Sequence, residues 1–167
     1  MMKGDLHTLK KVCLYGSRVM LVGTVVLFAV AVAMLGLGIG SLFSDVCSDL
    51  CRDITNDAQN VGAAMAELFV IFILATVTVL CTYRIMVSIH SEHSPFNESN
   101  TDIVKRLSLA YLPASVVLAL LEFLAHGIIA PVLFVFFGCI LLSVILYIFA
   151  LIIRYGAVLQ NESDHTL

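Results

Sequence analysis

Residues 19–43 read VMLVGTVVLFAVAVAMLGLGIGSLF, and no position among them carries a charge. A helix rises about 1.5 Å per residue, so about 20 apolar residues cross the hydrocarbon core of a bilayer. This stretch is long enough to cross. It exceeds the apolar segment of a cleaved signal peptide, about 7–15 residues, although Gly36, Gly38 and Gly40 offer small residues where cleavage could occur.

Three more apolar runs follow, at about 61–83, 103–125 and 131–153. The second holds Glu67, the third holds Lys105, Arg106 and Glu122, and the fourth holds no charge. Hydrophobic residues make up 60% of the 167 positions and charged residues 13%, with a mean hydropathy of +1.04. A soluble domain with that surface would aggregate, whereas lipid solvates it. Lipid offers no partner for free backbone groups, so spans are helices or closed barrels. A barrel needs alternating segments of about 10 residues, and none occurs. The expected fold is an all-α integral membrane protein: a four-helix transmembrane bundle forming a single membrane domain, 1–167, with a tail at 154–167.

Basic residues collect on the cytoplasmic side of membrane proteins. Lys3, Lys10, Lys11, Arg18, Arg84, Lys105, Arg106 and Arg154 all fall on one side, and Arg52 alone on the other. Both termini are therefore expected in the cytoplasm of a cell (inner) membrane. The joint at 44–60 and a short turn around His126 and Gly127 are expected outside. The sequons at Asn97 and Asn161 then lie inside, where glycosylation does not occur.

The outer joint carries Asp45, Asp49, Asp53 and Asp57, spaced four apart, against Arg52. Like charges at that spacing repel in a helix, which favours a solvated acidic loop; the alternative is a cation site. Cys47 and Cys51 in the same joint are candidates for a disulfide, for free thiols or for metal ligation. Residues four apart in a regular helix sit at the long end of disulfide Cα distances, so a bridge needs an irregular segment. In the inner joint Pro95 disfavours helix at Ser94, and Asn97, with Phe96 before it, fits an N-cap opening the third span. His90 and His93 lie at the same surface, too few for a metal. The N-terminal stretch, with Leu6, Leu9 and Cys13 on one face, fits a short interfacial helix.

Pro113 lies inside the third span and should kink it, freeing the Leu109 carbonyl for Ser115 or a neighbouring helix. Pro131 fits the first turn of the fourth helix, where its missing N–H costs little. Gly36-x-x-x-Gly40, preceded by Ala29-x-x-x-Ala33, gives the first helix a smooth face, for packing within the bundle or for a homo-oligomer seam.

Ionisable groups within spans are costly and mark functional candidates. Glu67 and Glu122 both fall near the outer ends, and His126 follows Glu122 by one helical turn. Together they form a candidate outer-face site for a divalent cation, with zinc or manganese suited to mixed N and O ligands. The competing reading places both glutamates at the water boundary. No catalytic constellation is present, so no enzymatic activity is expected. The net charge of −3 and a basic belt on one side give no sign of direct nucleic-acid binding.

Two segments, 83–110 and 152–167, resemble a bacterial four-span membrane family, domain-of-unknown-function family 2975. The features that carry the likeness are Pro95-Phe96, then Asn97 or Asn100, then Lys105, Arg106 and Leu107 before the third span. At the end they are Gly156, Leu159, Glu162, Asp164, Thr166 and Leu167, with His165 departing from the pattern. Members of that family often lie beside a small DNA-binding regulator. The resemblance therefore implies a sensory or regulatory membrane protein whose cytoplasmic face contacts a regulator protein. Pro95, Phe96, Asn97, Lys105, Arg106, Gly156 and Leu159 are its candidate partner face. The alternative is a small transporter or an oligomeric ion-conducting protein, against which stands the scarcity of polar residues at mid-span: Thr24, Thr76, Thr78, Ser115 and Ser143.

Overall fold

A computed structural model describes residues 3–56, 58–92 and 98–165 of the chain. It is all-helical among those residues, with α1 (Lys3–Gly40), α2 (Asp45–Ile54), α3 (Val61–Glu92), α4 (Glu98–His126) and α5 (Ile129–His165) in order. Four of these, α1, α3, α4 and α5, are long and apolar enough to cross a membrane. The expected four-helix membrane bundle is present.

The bundle is open. α1 packs on α3, α3 on α4 and α4 on α5, whereas α1 and α5 do not touch among the described residues. α4 is thus flanked on both sides, and eight of the ten positions buried among its described residues, Thr101, Val104, Ser108, Tyr111, Ser115, Leu118, Glu122 and Ala125, recur at alternating intervals of three and four, with Asn100 and Leu107 buried beside them. That interval keeps one seam facing its neighbours along the whole helix. Five of the eight are polar, and small or hydroxylated residues are what let membrane helices approach and hydrogen-bond. The Thr78 and Tyr111 hydroxyls lie 2.8 Å apart between α3 and α4, and the Ser143 hydroxyl donates to the Ser108 carbonyl at 2.7 Å between α5 and α4.

Side-chain pairs fix the register. Along α1 and α3, Gly16 faces Met86, Gly23 faces Val79 and Gly38 faces Met65, so the two run antiparallel with Arg18 and Arg84 near one level. The Thr78–Tyr111 pair sets α4 antiparallel to α3 and brings Lys105 near the same level. From that basic end to Gly40, Val61 and His126 is about 21–23 residues, or about 32–35 Å, which matches a hydrocarbon core. The acidic end holds α2 and the α4–α5 turn.

Several local expectations change. The joint at 44–60 is not a loop: α2 is a regular helix. Its three described aspartates, Asp45, Asp49 and Asp53, are exposed and so screened by water, while Cys47, Cys51 and Thr55 pack inward as a second stripe; Asp57 lies outside the described residues. α2 folds back on α1, with Cys47 against Gly40 and the Cys51 thiol 3.5 Å from the Leu37 carbonyl. The N-terminal stretch forms no separate interfacial helix but continues α1, since nothing between Lys3 and Arg18 breaks the helix. The segment 154–165 is likewise helical, extending α5. Ser115 donates to the Leu112 carbonyl, not to the Leu109 carbonyl that Pro113 frees inside α4. The stripe Ala29, Ala33 and Gly36 is exposed and faces away from α3, so it does not pack within the bundle.

Other expectations hold. Pro131 sits in the first turn of α5. The α4–α5 turn is short: the Gly127 N–H bonds the Phe123 carbonyl at 2.9 Å with φ +69°, the left-handed helix cap that glycine adopts without strain.

Candidate metal centre

Helix α3 begins with a side-chain cap. The Asn60 side-chain oxygen accepts the Ala63 N–H at 3.1 Å, satisfying one of the donors a helix start leaves open. The same residue joins the neighbouring helix, its N–H donating to the Ala125 carbonyl at 3.2 Å. Beneath that contact Ala58, Ala64 and Ala125 form a buried cluster, with Ala63 against it. Four alanines remove the side-chain bulk that would hold two helices apart. The start of α3 and the end of α4 therefore approach closely, and the side chains one turn further into the membrane meet.

Those side chains are Glu67 on α3 and Glu122 and His126 on α4. Glu67 is 7% exposed and Glu122 is 9% exposed. One ligand atom from each of the three residues lies within 4.8 Å of the others. His126 Nδ1 is 3.3 Å from a Glu122 carboxylate oxygen, yet that nitrogen is buried and has no hydrogen-bond partner among the described residues. Two carboxylates this close repel unless a proton or a cation lies between them. The Nδ1 atom pairs with the Glu122 carboxylate when the imidazole is protonated, and when neutral with Nδ1 bare it can serve as a ligand.

The donor set suits a divalent cation. Ligand atoms around zinc stand about 2.0–2.2 Å from the ion, hence about 3–4 Å from each other. Small rotations of two glutamates close the observed triangle to that size. Two carboxylates and one imidazole favour zinc or manganese over calcium, which prefers six to eight oxygens. Three protein ligands leave a position for water or a further ligand. The site lies about 9 Å from the start of α3, judged by helical rise, so its charges are drawn partly from water and a cation gains from neutralising them.

All three predicted ligands thus converge. The remaining sequence candidates are placed as follows. Cys47 and Cys51 are both free thiols on a regular helix, where no bridge joins them. Burial pushes the Cys51 thiol above its ordinary range, nearby Cys47 adds to this, and the Ser41 hydroxyl opposes it. Lys105 and Arg106 are exposed on α4, Gly156 is half-buried and Leu159 exposed on α5. Pro95, Phe96 and Asn97 lie outside the described residues, as does His93.

Asn60 and the alanine cluster were not anticipated. The signal for them is present, because Asn60 directly precedes an alanine-rich start, Val61-Gly62-Ala63-Ala64. Which helix those alanines meet is not written in either segment alone. No family model matches the chain, and no curated protein and no solved structure is similar to it.

Proposed function

We propose that this is a small non-enzymatic sensory or regulatory membrane protein that takes a divalent transition cation between α3 and α4. The convergence of Glu67, Glu122 and His126 carries this reading. Ions bound there would clamp the start of α3 to the end of α4, and the two helices extend the change to the opposite end of the bundle. With the basic end in the cytoplasm of the inner membrane, as the arrangement of Lys and Arg favours, the cation arrives from outside. The response is delivered to a cytoplasmic regulator protein at Lys105, Arg106, Gly156 and Leu159, together with Pro95, Phe96 and Asn97 of the α3–α4 joint. The likeness to family 2975 fits such a role.

A transporter or oligomeric conductor is the second reading. It is favoured by the buried hydroxyls of Thr76 and Tyr111 and the half-buried one of Thr78 within the apolar spans and by the outward face of Ala29, Ala33 and Gly36, which suits a second copy. The two readings separate in sealed vesicles, because only a conductor moves the ion across.

Thermal unfolding in detergent tests the leading proposal. A ligand that binds only the folded state stabilises it by RT ln(1 + [L]/Kd), about 2.7 kcal/mol at a hundredfold excess over Kd. Zinc or manganese should raise the melting temperature of the wild-type protein, and Glu122→Gln should abolish the rise. No shift in the wild-type protein would leave the cluster as a water boundary.

A further inference from the structure

The joint helix α2 carries three stripes, each of residues four apart. Cys47 and Cys51, continued by Thr55, turn toward the bundle. Asp45, Asp49 and Asp53 are exposed, and so are Val46, Leu50 and Ile54. At about 100° per residue the aspartate stripe stands nearly opposite the inward one, and the apolar stripe runs along the flank between them. Leu42 and Phe43, in the turn before α2, are 79% and 84% exposed. We propose that this apolar flank, with Leu42 and Phe43, rests on the acyl region of the bilayer leaflet at the acidic end, so that α2 lies in the membrane surface.

Depth points to lipid as the occupant. The Cys51 thiol is 3.5 Å from the Leu37 carbonyl, and Cys47 lies against Gly40. Both contacts fall on the last turn of the apolar span of α1. α2 is therefore held beside the end of that span and not above it in water. The helix also needs a second face to rest on. Ten residues form a helix in water only marginally, and aspartates four apart repel along it. Toward the bundle α2 offers small side chains, two thiols and the hydroxyl that follows them; its larger apolar side chains point elsewhere. Lipid takes those side chains out of water, while the exposed aspartates and Arg52 stay among headgroups and water. This division holds amphipathic helices at a membrane surface. The strip is about 15 Å long by helical rise, well short of the roughly 800 Å² per partner that a stable protein interface buries, so lipid covers it better than a second copy does. Anchored in this way, α2 sets the depth at which α3 enters the membrane at Val61, with or without a bound cation.

The chain contains no tryptophan, so one introduced tryptophan reports a single position. Fluorescence of the full-length protein in phosphatidylcholine vesicles tests the proposal, with two quenchers used in turn: lipid brominated near the top of its acyl chains, and iodide on both sides of the membrane. Phe134→Trp, at an exposed apolar position of α5, calibrates lipid contact. Leu50→Trp should lose emission to brominated lipid as strongly as Phe134→Trp does, and iodide should spare it. Asp49→Trp, its neighbour on the aspartate stripe, should lose more emission to iodide than to brominated lipid. Val46→Trp should repeat the Leu50→Trp result, which guards against one substitution disturbing the helix. Iodide quenching of Leu50→Trp and Val46→Trp as strong as that of Asp49→Trp would overturn the proposal by placing the flank in water. Protection of both from iodide and from brominated lipid would overturn it in favour of a second copy of the chain covering the flank.

Discussion

The two ends of the α3–α4 pair both hold charged residues and treat them in opposite ways. At the acidic end Glu67 and Glu122 are buried and crowd together with His126. At the basic end Arg84, Lys105 and Arg106 are exposed and spread apart. Long basic side chains reach the headgroups at little cost, whereas a buried carboxylate loses hydration worth several kcal/mol unless something compensates. The close alanine packing under the acidic end holds the carboxylates in that unfavourable position. A ligand gains most where the protein itself is least satisfied, which is why the acidic end is the stronger candidate for chemistry.

The sharpest break would come from sidedness, an all-or-none effect. A membrane-impermeant maleimide applied to intact cells should label Cys47, while a cysteine placed at Ser163 should react only after lysis. Cys51 should lag behind Cys47, because it is buried and its thiol is held above the ordinary range, so less of the reactive thiolate is present at neutral pH. The lag should narrow as the pH is raised through that elevated value. Labelling of Ser163→Cys from outside would reverse the two ends.

Next in size is the packing that forces the acidic end together. Ala125→Leu should overpack the alanine cluster by about 1–3 kcal/mol, lowering the melting temperature by about 2–4 °C for each kcal/mol. Ala110→Leu, on an exposed position of the same helix, should leave it unchanged. Equal effects would mean the acidic end is no tighter than the lipid-facing surface. Gly127→Ala follows: φ +69° is strained for an L side chain, and the new methyl would meet the Gln59 side chain at 3.3 Å. A loss of about 1–2 kcal/mol is expected, read as a fall in melting temperature.

Much of this contrast was legible in the chain. Uninterrupted apolar length fixes the spans, and Pro131 and the His126–Gly127 turn follow from residue chemistry alone. Glu67, Glu122 and His126 stood out because an acid inside an apolar run has few bland explanations. Their meeting was not legible, because it depends on α3 lying beside α4 and not beside α5, a choice made by alanines and hydroxyls that look alike on every span. The helix α2 was missed because four-spaced aspartates argue against helix, while the inward stripe of Cys47, Cys51 and Thr55 that holds it is visible only once α1 is beside it. The continuations of α1 and α5 past the bilayer were missed because hydropathy marks where lipid ends, not where hydrogen bonding along the backbone ends.

The smallest expected effect lies within the spans, nearer the basic end. Thr78→Val removes the hydroxyl pair with Tyr111 that ties α3 to α4. Interhelical hydrogen bonds in membranes average about 0.6 kcal/mol, so the melting temperature should fall by about 1–2 °C, with cation binding retained. A collapse of binding in this variant would mean that polar contacts elsewhere along the spans, and not the alanine cluster, set the geometry of the acidic end.

Equilibrium dialysis of the purified full-length protein against zinc and against manganese tests the convergence of Glu67, Glu122 and His126 most directly. One ion per chain should bind, with Glu122→Gln and His126→Ala each weakening binding by about tenfold or more and Asp49→Asn on the exposed acidic face of α2 leaving it unchanged. Loss of binding in Asp49→Asn with retention in Glu122→Gln, or no ion bound by the wild-type protein, would contradict the assignment of a cation centre to this end of the bundle.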